Sequence, residues 1–354
     1  MITILGPVLV AAGWATADTG LVARGREVYA AACAACHGAD GRGNPEWENP
    51  VRPVAFTDCG TTAEPTELWA TIVRDGGASR GLSSVMPAFG EAYTDEEITA
   101  VVAYLRTFCE GADRYPPGDL NFRRLLKTGK AFPEVEFLLR VGHRPEGQGR
   151  ETGIEAIYEN RLGARFQYEL VLPFRPHAAG AVGGTGIGDI EVEGKYVLHF
   201  DLPRTEILSG GLGVSFPSGS ESKGLGAGTA VFAPFLAYGK AWGRTILQSK
   251  VGMKLPAAWD RADPELDYAV AFSRALGSPR TAWTPAIELS GAYDTRARTN
   301  EYAVWLEVSK PLNKLGHVIA AAGVRLPVRP RQDTYRIEAY LLWDFGDGPL
   351  WVGW

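Results

Sequence analysis

The chain has 354 residues and a formal net charge of −5. That length leaves room for two domains, and that charge excludes the basic surface a nucleic-acid-binding protein presents. With 43 Gly, 10 Trp and 13 Tyr, the composition favours β-structure with tight turns and boundaries between apolar and wet surroundings.

The first element is an apolar run, ITILGPVLVAAGWATA, ending at Ala15-Thr16-Ala17. It is short for a membrane helix, and its small residues fit a cleavage site. Residues 1–17 are therefore expected to be a signal peptide, although the positive charges that usually open one are missing. No later segment reaches 18 apolar residues, so membrane association by the mature chain would need a barrel, a lipid or a surface contact.

Residues 20–35 are rich in helix formers and lead into Cys33-Ala34-Ala35-Cys36-His37. A redox dithiol usually sits between a strand and a helix, and no strand pattern precedes Cys33. A structural zinc needs about four ligands, and no second close Cys/His pair exists. C-x-x-C-H is the attachment signature of haem c: the two thiols add to the porphyrin vinyl groups, and the next residue is delivered beneath the iron.

Residues 66–77 read as a short helix stopped by Gly76 and Gly77. Residues 94–108 read as a longer one, opened by a capping box of Thr94 and Glu97, with Ile98, Val101, Val102 and Leu105 on one stripe. Asp40, Glu96 and Arg106 are expected on the solvated surface. A second axial ligand follows by elimination. The methionines are Met1, Met86 and Met253. Met1 would leave with the signal peptide, Met253 lies in the strand region, and Met86 sits in VMPAFG, where Pro87 stiffens the loop. A thioether there raises the haem potential and suits an electron carrier, a buried filler methionine being the alternative.

With CAACHGADGRG, then MPAFG, then a helix ending YLRTF, the chain resembles a class I c-type cytochrome over roughly residues 20–110, and a cytochrome domain is expected over 18–112. The resemblance implies an all-α fold whose first and last helices cross. It also implies one covalent haem c with thioethers to Cys33 and Cys36, a proximal His37 and a distal Met86. Cys59 and Cys109 remain. A disulfide between them, or two buried free thiols, would account for them. Closing that loop is worth roughly 3–4 kcal/mol in the chain-entropy model.

Prolines, glycines and a basic run mark residues 113–132 as a linker. Arg123, Arg124, Lys127 and Lys130 are expected either near anionic headgroups or in solvent. From residue 133 to 354 the hydrophobic period becomes 2. Phe166, Tyr168, Leu170 and Leu172 alternate with Arg165, Gln167 and Glu169. Ile190, Val192, Tyr196, Leu198 and Phe200 alternate with Glu191, Glu193, Lys195 and His199. The segments run about 9–13 residues, long enough to cross a bilayer at a tilt, and about twelve fit before Phe345. Trp242, Trp259, Trp283 and Trp351 fall near strand ends, as an aromatic girdle would. An antiparallel transmembrane β-barrel of about 12 strands is expected, with a secreted β-sandwich as the alternative. His143, His177, His199 and His317 are expected in the lumen or loops and not as ligands of a second haem.

GTGIGDIEVEGKYVL, GLGVSFPSGS and GLGAGTAVFAPFLAYGKAW resemble the outer-membrane barrels associated with phenol degradation and small-molecule transport. The whole arrangement is similar to fused cytochrome–porins that pass electrons inward from donors such as ferrous iron. Those resemblances imply an outer-membrane electron-transfer protein, a carrier more than a conventional enzyme, with its cytochrome on the periplasmic side. Its implied partners are periplasmic electron carriers or oxidoreductases, an extracellular donor, and outer-membrane lipid. A small-molecule channel with a cytochrome docking module and a soluble periplasmic carrier are the alternatives.

Overall fold

The computed structural model describes residues 19–60, 64–144, 151–178, 184–278, 281–329 and 335–354; the expected signal peptide lies outside them. Among the described residues no helix is long and apolar enough to cross a membrane.

Four helices form the N-terminal part: α1 (Thr19–Ala32), α2 (Ala34–His37), α3 (Thr66–Asp75) and α4 (Asp95–Leu105). The capping box is present, with the Glu97 amide donating to the Thr94 hydroxyl and the Thr94 amide to the Glu97 carboxylate. α1 and α4 cross at Gly25, where a Cβ would stand 2.0 Å from the Ala100 carbonyl oxygen. Only a glycine lets the two backbones approach that closely. Val28 and Tyr29 of α1 pack there on Ile98, Val101, Val102 and Leu105 of α4 and on Leu68, Trp69 and Val73 of α3.

Cys59 and Cys109 are joined by a disulfide, their Cα atoms 5.2 Å apart, so the end of the last helical segment is tied to the preceding long loop. Replacing both with alanine is expected to lower the stability of this domain by roughly 3–4 kcal/mol, read from denaturant unfolding followed by haem absorbance. Arg106 departs from the expected solvated position. It is half-buried and donates to the Glu64 carbonyl, the Thr66 hydroxyl and Asp119. Asp119 in turn accepts from the Thr66 amide and hydroxyl. The first turn of α3 thus takes its cap from a residue 53 positions away, in the segment that joins the two domains.

The strands are β1 (Glu136–Arg144), β2 (Glu151–Leu162), β3 (Phe166–Ala178), a two-residue β4 (Gly186–Ile187), β5 (Ile190–Asp201) and β6 (Glu206–Phe216). They continue with β7 (Val231–Trp242), β8 (Thr245–Pro256), β9 (Glu265–Arg274) and β10 (Thr284–Asp294). β11 (Thr299–Pro311), β12 (Val318–Arg329) and β13 (Arg336–Asp344) complete the series. Each long strand pairs antiparallel with its neighbours, and β13 returns to β1, so twelve long strands close a barrel, with β4 lying on β3. Phe137, Leu139 and Val141 point outward and exposed, while Glu136 and Leu138 point inward and buried. The expected alternation holds through most of β5 but breaks near its end. The register slips between Val197 and His199, and Phe200, expected on the outer face, instead packs with the inner cluster around Phe122 and Phe132. A bulge inserts one residue and reverses the facing beyond it.

The segment expected to be a solvated linker is inside the barrel. Leu120, Phe122, Leu125, Leu126, Thr128, Lys130 and Phe132 are all buried. Arg124 meets Glu136 of β1 at 2.7 Å and Glu159 of β2 at 2.6 Å, with Glu169 of β3 at 3.9 Å. Lys195 of β5 donates to the Lys130 carbonyl and Ser209 of β6 to the Ala131 carbonyl. Gln248 of β8 donates to the Arg123 carbonyl and Tyr340 of β13 to the Arg124 carbonyl. Glu288 of β10 and Glu307 of β11 accept from the amides of residues 126–128. Only a chain within the ring reaches strands on every side of it. Buried carboxylates and an arginine are tolerable because each has a charged or hydrogen-bonded partner. The Arg124 and Lys130 charges thus serve lumen carboxylates and not headgroups.

Candidate cofactor site

His37 is placed by the turn that follows it. Gly38 and Gly43 take positive φ of 75° and 93°, which lets the chain fold back on α2. The Gly43 amide then donates to the His37 carbonyl at 2.8 Å, and the Asn44 amide to that of Cys36 at 3.0 Å. Tyr29 from α1 donates its hydroxyl to the Gly38 carbonyl at 2.7 Å, fixing the turn to the core. The His37 Nδ1 lies 3.3 Å from the Val54 carbonyl, and the ring stacks on Phe56 at 4.6 Å between centroids. Burial holds the His37 pKa below its usual value, against the pull of the Val54 carbonyl, so the ring is neutral at pH 7. A neutral imidazole with Nδ1 occupied has Nε2 left for a metal.

Met86 comes from a loop sewn to the end of α3. The Gly77 amide donates to the Met86 carbonyl at 3.0 Å, and the Phe89 amide to that of Val73 at 3.0 Å. A Cβ on Gly77 would lie 2.4 Å from the Ser83 carbonyl oxygen, so this loop needs the glycine.

Cys33, Cys36, His37 and Met86 all line one cavity of about 670 Å³, walled mainly by apolar side chains such as Phe56, Leu68, Trp69 and Leu82. Both thiols are free. Burial, with Cys36 nearby, pushes the Cys33 thiol up to about 11. The donor set and the cavity fit a haem c. There is an apolar slot of suitable volume, an imidazole with its outer nitrogen hydrogen-bonded, a thioether on a braced loop, and two unpaired thiols beside the imidazole.

The cavity has a wall that sequence reasoning missed. Phe132, Pro133 and Glu134 from the lumen segment, Arg161 near the end of β2, Leu315 in the β11–β12 turn and Asp344 of β13 line it as well. These residues lie at the barrel end where β1 begins and β13 finishes. Arg80 of the helical domain donates to the Lys314 carbonyl there, and Leu315 belongs to the helical core cluster. No local pattern marks such residues, because what unites them is the docking of two domains. The other histidines lie elsewhere: His143 contacts Thr152 on β2, His199 is exposed at the bulge of β5, and His317 is buried in a turn. The side chain of His177 lies outside the described residues.

Residues 20–105 match the family model of cytochrome c oxidase, cbb3-type, subunit III. The cbb3-type cytochrome c oxidase subunit FixP of Azorhizobium caulinodans is 32% identical over 105 residues, which is 28% of this chain and 31% of that protein. The chain thus matches less than a third of its curated relative's length. An outer membrane channel of Pseudomonas putida F1 superposes with a TM-score of 0.50 at 12% identity, covering 62% of this chain and 98% of that one. The N-terminal part is a cytochrome c domain, which implies haem c, and the remainder is a closed twelve-stranded barrel with the fold of outer-membrane channels.

Proposed function

We propose that the chain is an outer-membrane electron-transfer protein in which a plugged barrel anchors a cytochrome carrying one covalent haem c. Haem bound at this site supplies reversible one-electron exchange between ferrous and ferric iron. The protein's own part is to present a neutral, oriented His37 and the Met86 thioether, to offer the Cys33 and Cys36 thiols for attachment, and to keep the slot apolar. The apolar band of such a barrel is about 25 Å tall, and its outward residues, including Leu172, Leu236 and Leu306, are exposed, as lipid contact requires.

The observation that carries this reading is the shared wall. The cavity is bounded on one side by the helical domain and on the other by the end of the barrel. A docking module on a flexible tether would not have this geometry. The filled lumen also disfavours the small-molecule channel, since a solute would meet Leu126, Arg124 and Phe132 in its path. Outer-membrane barrels have short turns on the periplasmic side, and the turns 163–165, 202–205 and 243–244 at the cytochrome end are short, which supports a cytochrome on that side. There it would exchange electrons with periplasmic carriers or oxidoreductases; the curated relative is itself an oxidase subunit. An extracellular donor would need a further carrier above the plug.

Expressed in a host that attaches haem c, the intact chain is expected to require detergent for extraction from outer membranes. It should keep its haem stain after denaturing electrophoresis and leave a planar bilayer without ion conductance. A freely soluble or haem-free product overturns the reading, and steady conductance favours the channel.

A further inference from the structure

Arg161 faces the cofactor cavity from the barrel wall with donors to spare. Its Nη2 donates to the Pro133 carbonyl at 2.6 Å, and its guanidinium lies 5.1 Å from the centre of the Phe132 ring, so its plane is fixed. Its Nε and Nη1 are buried and have no hydrogen-bond partner. Buried donors without an acceptor are destabilising, and a guanidinium stays charged. None of the acidic side chains beside it holds Nε or Nη1. Glu134 pairs with Lys130, and Asp344 accepts from the Gly346 amide at 3.1 Å. Among the described residues lining the cavity, the cationic side chains are Arg161 and Arg52. Arg52 is exposed and donates to the Trp47 carbonyl.

A haem brings two propionate carboxylates, and a carboxylate is the acceptor these buried donors lack. We propose that Arg161 of the barrel receives a haem propionate, so that the cofactor of the cytochrome domain is held by both domains. This rests on the haem reading above. It makes the barrel a contributor to the redox centre, because a fixed positive charge close to the iron favours the ferrous form.

The test is an equilibrium redox titration of the full-length, detergent-solubilised protein. Covalent haem staining of the wild type is scored first, and its absence defeats the haem reading itself. With haem present, Arg161→Gln is expected to keep its stain while its reduction equilibrium shifts tenfold or more toward ferric, about 59 mV for one electron. Arg52→Gln is expected to shift it less. A shift below threefold in Arg161→Gln overturns the proposal. Arg161→Lys retains the charge and guards against loss of assembly. Its propionate bending band in the resonance Raman spectrum is expected to move from the wild-type position, and an unmoved band overturns the proposal equally.

Discussion

Arg124→Leu is expected to destabilise the barrel by about 3–5 kcal/mol, because it strips the counter-charge from carboxylates that cannot reach bulk water. Glu136 and Glu159 have side chains only 2% exposed, and Arg124 lies within 2.7 Å of both. The loss should appear in urea unfolding monitored by electrophoretic mobility of unheated samples. Adding Glu136→Gln and Glu159→Gln to the leucine variant should recover most of it, since removing both sides of a buried ion pair is often close to neutral. A leucine variant as stable as the parent would show that the lumen is wetter than this packing implies. Replacing residues 120–132 with a glycine–serine chain of equal length goes further. Such a protein should conduct ions where the intact one does not, because the side chains and carbonyls that fill the ring would be gone.

Met86→Ala is the second large effect. It removes the thioether but leaves Cys33, Cys36 and His37 in place, so haem should stay attached while its potential falls. Axial ligands tune haem potentials over about 0.8 V, and a fall on the order of 0.1 V or more is expected. The vacated position should also admit carbon monoxide in the reduced state, which a braced Met86 resists. A potential and a reduced spectrum identical to the parent would remove Met86 from the proposed ligand pair. The loop is braced by main-chain bonds, Gly77 amide to residue 86 carbonyl and Phe89 amide to Val73 carbonyl, which an alanine at 86 can also make.

Much of this was legible because it is local. Cys33 to His37 are contiguous, Thr94 and Glu97 sit one turn apart, and the alternation around Leu170 or Leu306 is a property of one strand at a time. The lumen segment was not. Leu120, Phe122, Leu125, Leu126 and Phe132 follow neither a period of 2 nor of 3.6, since the chain there matches the inside of a cylinder and no regular lattice of its own. Its partners are distant in sequence: the Leu126 amide meets Glu307 across 181 positions. Basic residues beside prolines therefore resemble any solvated connector until the ring of inward carboxylates is assembled. Arg161 was hidden differently. On the polar face of an alternating strand it looks like any other lumen charge, and only the docked cytochrome reveals that it borders a second cavity. Phe200 shows the limit of periodicity itself, for one extra residue at the bulge reverses the facing that the pattern assigns.

The barrel grips the segment inside it largely by main-chain atoms: the amides of residues 126–128 and 134, and the carbonyls of Arg123, Arg124, Lys130, Ala131 and Pro133. Peptide groups are the same whatever side chain they carry. Apart from Arg124 and Lys130, whose side chains pair with buried carboxylates, those residues could drift in identity among relatives, yet the segment could scarcely gain or lose one, because a single insertion would slide every downstream clasp out of reach. Spacing, more than spelling, is what selection would guard there.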